Sequence, residues 1–434
     1  MIRNTDSFSI TNFLVTKQQL LCWANQYSSC CFLDTHQYHS ANNSVECLVG
    51  VGAISSFTQQ SNNQQQLDDY LESVNDWLFG HICYEYIGSN ISQQSSLQAA
   101  DKIGFAPILF FQPSIVIHLS LDSITIESAT ISPKIVFQQI IETSITIESH
   151  LQNSKLSFTI NPQISKAAYI ETIKQLQLHI KRGDCYEINF CQQFAASNVS
   201  INPVEKYQQL TALSPNPFAC FYKQDESHLL CASPERFLKK TGSQLISQPI
   251  KGTIQRDKRN PAIDEQLKQQ LYHSTTDRSE NVMVVDLVRN DLSRICQAAT
   301  VQVEELFGIY SYPQVHQMIS TLVGQVKPEI GFGAILDATF PMGSMTGAPK
   351  RKVMELIHQY EANKRGLFSG AVGYISPNKD FDFNVVIRSI LYNAANQYLS
   401  YYVGSGITYY SNPELEYEEC MLKAEAIIRV LGNY

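Results

Sequence analysis

The chain has 434 residues, enough for one large α/β domain or two smaller ones. Apolar residues make up 44% and charged residues 17%, so a large core is available while Gln, Ser, Asn and Thr supply much of the polar surface. A net charge of −8 without any lysine- and arginine-rich run argues against a general nucleic-acid binder, and no run of about 18 apolar residues offers a membrane span.

The first residues, MIRNTDSFSITNFLV, lack a continuous apolar run and make a poor signal peptide. None of the eleven cysteines falls in a C-x-x-C spacing, and several sit in apolar runs such as NFCQQF and PFACFY. That pattern reads as reduced, mostly buried thiols in a cytoplasmic protein and argues against a zinc site.

Short strand-like runs dominate up to about residue 160. The Gln/Asn-rich segment 55–69 reads as an exposed loop leading into a helix around YLESVNDWLFG. In SIVIHLSLDSITIES, Ile115, Ile117, Leu119 and Leu121 alternate with Val116, His118, Ser120 and Asp122, and Asp122-Ser123 supplies a turn before Ile124 and Ile126. Past residue 160, Tyr169, Ile173, Leu176 and Ile180 fall at helical spacing, with Ser165 able to cap the start and Gly183 the end. CYEINFCQQF then reads as a strand. Strands outnumber those of a simple doubly wound sheet, so mixed or antiparallel sheets flanked by helices are expected.

Several constellations could carry chemistry. Lys251 lies in SQPIKGTIQRD, sixteen positions after Glu235 of CASPERFLKK. A carboxylic acid and a lysine on neighbouring strands can act as general acid and nucleophile if burial raises the one pKa and lowers the other; the plain alternative is a salt bridge. Asp277 and Glu280 are three apart at the start of one predicted helix, as are Glu416 and Glu419 on another. Two such faces together suit Mg²⁺, although acids at helix starts also favour the macrodipole without any metal. GSMTGAPKRK is not a Walker loop, because Gly343 and Gly347 have three residues between them and Lys350 follows Ala-Pro. Gly404 and Gly406 permit close approach of a ligand or mark bulges. Arg388 in NVVIRSILY interrupts an apolar strand and needs an anionic partner, either a structural carboxylate or a substrate carboxylate.

Taken in order, GDCYEINFCQQF, SPERFL, PIKGT, DRSENVMVVDLVRNDL, GSMTGAPK, GAVGY, DFNVVIRS and KAEAI resemble the signature blocks of the chorismate-utilising enzymes over about residues 165 to 430. Earlier, CCFLDTHQYH and WLFGHICYEYIG resemble strands of the family's synthase members more weakly. The resemblance implies an α+β fold: large mixed, mostly antiparallel sheets in a sandwich flanked by helices. Residues 1–160 would pack into the same sandwich as the catalytic region, 161–434.

Within that family, a lysine in the PIKGT block is typical of the members that make 4-amino-4-deoxychorismate. Anthranilate and isochorismate synthases usually carry alanine there. The water-activating lysine of isochorismate and salicylate synthases corresponds to Glu187, which leaves ammonia as the better nucleophile. The resemblance implies Lys251 as nucleophile and Glu235 as general acid. It implies Mg²⁺ held by Glu280 and Glu419, with Asp277 and Glu416 around them. Arg388, Lys423, Gly404, Gly406, Thr346 and Tyr374 are the implied substrate-binding residues. No G-x-C-x-G elbow is present, so a separate glutamine amidotransferase subunit would supply ammonia, and neither nucleic acid nor membrane is expected as a partner.

Two departures stand out. Many relatives have a histidine where Gln317 falls, next to His316, and some have glutamate at Asp277, where a shorter arm suits a water-mediated contact. Two other readings stay open. One is an anthranilate-forming synthase, favoured by FLDTH, which lies where such enzymes bind regulatory tryptophan. The other is a catalytically silent binding subunit.

Overall fold

Strands buried on both faces build the scaffold. Along Ile108–Leu119, Ile115, Ile117 and Leu119 enter one apolar cluster while Val116, between them, enters another. The strand turns over Ser120–Asp122 into Ser123–Ser128, the predicted hairpin; Leu121 lies in the turn and is therefore exposed. The computed structural model describes residues 2–38, 46–59, 64–86, 101–145, 158–312 and 315–432. His39, residues 60–63 of the Gln/Asn-rich segment, Ile87, Gly88, Pro313 and Gln314 lie outside the described residues.

All described strand pairings are antiparallel. Ile108–Leu119 is shared by two arms of the sheet. One runs through Cys47–Gln59, Ser29–Asp34, Phe218–Gln224, Ser227–Ser233, Ser389–Asn393 and Tyr398–Ile407 to Glu187–Ala196. The other runs through Leu78–Ile82, Ala371–Ile375, Phe381–Asn384, Arg236–Thr241 and Gln244–Gln248 to Val315–Gln325. Phe79 and Val372 of the second arm share an apolar cluster with Cys220, Leu229 and Leu391 of the first, so the arms pack face to face. Helices Lys166–Arg182, Pro203–Leu213, Lys350–Tyr360 and Pro413–Val430 bury their apolar stripes in the cluster on the first arm. Gln64–Ser73, Thr275–Ile295 and Phe332–Thr339 do so on the second. Ser29–Asp34 pairs with Phe218–Gln224, and Leu78–Ile82 with Ala371–Ile375, so strands from both sides of residue 160 alternate in one framework.

Local signals were realised closely at the Lys166–Arg182 helix. Ser165 accepts from the Ala168 amide, Gly183 closes the helix at φ 88°, and Tyr169, Ile173 and Leu176 are buried. The 55–69 loop is shorter than expected: Cys47–Gln59 remains a strand through Gln59, and a helix occupies Gln64–Ser73. Phe57 and Leu67, packed in the apolar cluster on the second arm, hold those ends in regular structure. The helix stops before WLFG because Leu78–Ile82 is taken up as a strand. All eleven cysteines are free thiols, ten of them buried.

Candidate active site

The strand Ile250–Gln255 pairs with Val315–Gln325, and its register shifts between Ile250 and Thr253. Gly252 sits in this bulge at φ 90°, where an added Cβ would come within 2.9 Å of Asp277 Oδ1. The bulge therefore lies against the start of the Thr275–Ile295 helix. That helix is capped by the Ser274 hydroxyl and tied to the sheet by Ser320 Oγ, which donates to Asn281 Oδ1 at 2.6 Å.

Lys251 projects from the bulge into a carboxylate cluster. Its Nζ donates to Glu187 Oε1, at the start of the Glu187–Ala196 strand, and lies 3.7 Å from Glu280 Oε2. The lysine side chain is 11% exposed and that of Glu187 4%. A methyl at Gly406 would stand 2.7 Å from Glu187 Oε1 and 2.8 Å from Lys251 Nζ, so the absent side chain makes room for this pair. Gly404 is a tighter packing point: an added Cβ would meet Cys191 Sγ at 2.4 Å.

The charge state of Lys251 corrects one expectation. Burial pulls its pKa down, but Glu187, Glu280 and Glu419 together outweigh burial and hold it above the ordinary lysine value. The resting amine is an ammonium because Glu187 and Glu280 lie within 4 Å of it and Glu419 adds its charge from further off.

Glu235 is buried and behaves as expected of an acid. Burial raises its carboxyl to about 7, against the opposing pull of the Ser344 hydroxyl, Lys251, the Ile250 amide and Arg388. It is thus substantially protonated at neutral pH. Arg388 lies outside any strand, in the break between Phe381–Asn384 and Ser389–Asn393, with φ 51°. Burial lowers its basicity, and the nearby Glu235 and Tyr312 partly restore it. Among the described residues its guanidinium makes no hydrogen bond or ion pair within 4 Å, and Glu235 acts on it only from a distance.

Glu280 is the most strained of the paired acids. Burial raises it to about 7; Lys251 opposes the rise, while Glu187, Asp277 and Glu419 add to it. Glu419, on the Pro413–Val430 helix capped by Asn412, is lowered: burial is outweighed by Lys423, 2.7 Å away, and by Lys251. Lys423 Nζ also donates to the Gly404 carbonyl at 3.1 Å, which fastens this helix to the glycine strand. Glu416 lies one turn before Glu419, and no described contact joins it to the cluster. Among the described residues no three His, Cys, Asp or Glu side chains converge as a ready-made metal cage. Mg²⁺ does not require one, since it commonly takes one or two carboxylates and completes its shell with water and substrate. Glu280, crowded by like charge, and the nearby Glu419 fit that demand.

The remaining candidates are taken up by other contacts. Thr346 is fully buried, and its hydroxyl donates to the Met342 and Gly343 carbonyls. Lys350 is no phosphate lysine: its ammonium pairs with Asp291 and donates to the Thr339 carbonyl. Tyr374 packs on Trp77 and lines a separate cavity of about 80 Å³ with Asp34, Thr35, Phe218 and Asp382. That cavity takes in Leu33, Asp34 and Thr35 of FLDTH. His316 is engaged by Asp264 at 3.1 Å and Ser311 at 2.8 Å, whereas Gln317 is fully buried with neither amide atom hydrogen-bonded among the described residues. Two participants were not anticipated in their roles. Glu187 is the direct partner of Lys251, and the buried Ser344 hydroxyl, without a hydrogen bond among the described residues, lies near Glu235; both lie inside recognisable blocks, but nothing in their spacing points to this placement.

Residues 22–429 match the family model described as chorismate binding enzyme. The chain belongs to the chorismate-binding enzymes. Aminodeoxychorismate synthase, chloroplastic, of Arabidopsis thaliana is 41% identical over 63% of this chain and 30% of its own length. Aminodeoxychorismate synthase component 1 of Escherichia coli strain K12 is 34% identical over 66% of this chain and 63% of its own length. The chain thus spans less than two thirds of these relatives. Among solved structures, MenF, the menaquinone-specific isochorismate synthase of Escherichia coli, superposes with TM-score 0.76 over 99% of this chain and 95% of that one, at 19% identity. This likeness establishes the chorismate-binding fold. Among the described residues no helix is long and apolar enough to cross a membrane.

Proposed function

We propose that the chain aminates chorismate, converting chorismate and ammonia to 4-amino-4-deoxychorismate and water. The observation that carries this reading is the buried Lys251 amine set among Glu187, Glu280 and Glu419, with a half-protonated Glu235 close enough to feel its charge. The similarity to aminodeoxychorismate synthases and the lysine in PIKGT support it.

Lys251 acts as the covalent nucleophile. Its proton passes to Glu187, to which it is already hydrogen-bonded, and the free amine adds at ring carbon 2. The C4–O bond breaks as Glu235 protonates the departing hydroxyl, releasing water. Ammonia then bonds to carbon 4, the C2–N bond breaks, and Lys251 returns as the free amine. The surplus proton on the new nitrogen resets Glu235, and Glu187 returns its own to Lys251. Arg388, which makes no hydrogen bond or ion pair among the described residues, receives a substrate carboxylate, with the backbone near Gly404 and Gly406 alongside. Glu280 and Glu419 would hold Mg²⁺, with Asp277 reaching it through water; when bound, the ion would neutralise the ring carboxylate.

A glutamine amidotransferase subunit is the proposed ammonia source. The eleven free thiols favour a reducing, cytoplasmic setting. Incubation with chorismate, Mg²⁺ and ammonium, followed by mass spectrometry, tests the reading. The expected product is 4-amino-4-deoxychorismate; anthranilate with pyruvate release, or unchanged chorismate, overturns it.

A further inference from the structure

Arg365 and Glu361 form an ion pair that the reaction does not use. Arg365 is 2% exposed and Glu361 5%. The guanidinium donates from Nε to Glu361 Oε2 at 2.9 Å and from its second terminal nitrogen to Glu361 Oε1 at 2.5 Å. Its remaining hydrogens reach the Asn189 carbonyl at 2.8 Å, the Met345 carbonyl at 2.7 Å and Ser369 Oγ at 3.2 Å. Its face rests on the Tyr84 ring, 4.4 Å from the centroid. Glu361 also accepts from the Cys191 amide at 2.9 Å.

These contacts converge on two segments. One is the Glu187–Ala196 strand, held at the Asn189 carbonyl and the Cys191 amide, two and four residues beyond Glu187. The other is the Gly343–Met345 turn, held at the Met345 carbonyl, beside Ser344. The segments are stitched to each other as well: the Asn189 amide donates to the Thr346 carbonyl at 2.7 Å, and Asn189 Nδ2 to the Ser344 carbonyl at 3.1 Å. Glu187 holds Lys251, and Ser344, whose buried hydroxyl makes no hydrogen bond among the described residues, lies near enough to Glu235 to pull its carboxyl down. Burying a charged pair is costly, and truncating one partner leaves the other uncompensated. A guanidinium here is distinctive because its planar fork satisfies acceptors on three separate segments at once.

We infer that Arg365, locked by Glu361, is a positioning residue that fixes the register between the Glu187 strand and the Ser344 turn and thereby sets Lys251 against Glu235. The inference rests on the reading of those two as the reacting pair. Arg365 and Glu361 hold Asn189 and Cys191, which pair across the strands with Gly406 and Gly404, so turnover and chorismate binding both respond to their loss, and the exposure of Lys251 is the readout that isolates positioning.

Arg365→Met, Arg365→Lys and Glu361→Gln test this, each checked for folding by circular dichroism. The first readout needs no substrate: brief acetylation with acetic anhydride, with modification of Lys251 followed by peptide mass spectrometry. Lys251 is expected to react roughly tenfold faster in Arg365→Met, the opening expected for loss of one charged hydrogen bond, while the surface lysines are unchanged. The second readout is chorismate amination with ammonium. Here kcat falls by about tenfold or more, and Arg365→Lys is intermediate. Folded Arg365→Met with an unaltered Lys251 rate and unaltered kcat overturns the inference. If Arg365→Met does not fold, the same two measurements on Glu361→Gln decide it. Absence of amination in the wild-type chain removes the proposed function instead, and the acetylation comparison still judges the positioning role.

Discussion

Replacing Lys251 by methionine keeps an apolar stem in place and removes the charge that offsets Glu187, Glu280 and Glu419. At 3.7 Å the attraction to Glu280 alone is about 4 kcal/mol in an effective dielectric of roughly 20. Desolvation of the ammonium cancels part of this, and breaking a buried pair from one side costs about 3–5 kcal/mol net. The orphaned carboxylates limit the loss by taking up protons. A carboxyl whose folded pKa is raised above its unfolded value penalises folding at pH above the folded pKa, and the penalty vanishes below the unfolded one. Glu280, already at about 7, rises further in the variant. The destabilisation is therefore about 3 kcal/mol at pH 8 and falls to about 1 kcal/mol at pH 5, close to the unfolded carboxyl pKa. Urea unfolding followed by tryptophan fluorescence, in EDTA at both pH values, measures it. A loss that is identical at pH 5 and pH 8, or a gain at pH 8, would refute the account of Lys251 as counter-ion to this cluster.

Glu235→Gln keeps the shape but offers no transferable proton, so kcat should drop by about 10²–10⁴-fold. In the wild type the rate should decline as pH rises through about 7, where Glu235 ionises, and the residual rate of the variant should lack that limb. Gly406→Ala places a methyl within 3 Å of both Glu187 and Lys251, so turnover should fall at least tenfold, roughly, with little change in circular dichroism; full activity would show that the pair moves freely. Chelation with EDTA should abolish turnover and added Mg²⁺ restore it, and Glu419→Gln should need about tenfold more Mg²⁺ for half-maximal rate. Turnover that survives EDTA would remove the ion from the reaction.

Much of the local structure could be read directly along the chain. The Ser165 cap and Gly183 stop bracket the Lys166–Arg182 helix because capping and left-handed closure are short-range events. The hairpin at 120–122 follows from alternation and a polar turn. The buried 115–119 run shows the limit: alternation signals a strand, but here Val116 is as buried as Ile117, since a second layer covers its face. The apolar neighbours of Arg388 read as a strand, but its positive φ belongs to a break between strands that no composition signal marks.

The order of blocks in the sequence determined the family and nominated Lys251, Glu235, Glu280 and Glu419, because side chains that carry chemistry keep their type and their local frame. Which of them meet was decided by the sheet. Glu187 reaches Lys251 across 64 residues only because the strand holding Gly406 leaves a gap for both. Tyr374, carried by an equally recognisable block, faces a different cavity. The protonation state of Lys251 was decided there too: burial is visible in an apolar context, but the count of carboxylates converging on one amine is a sum over distant strands and helices, and that sum has no local signature.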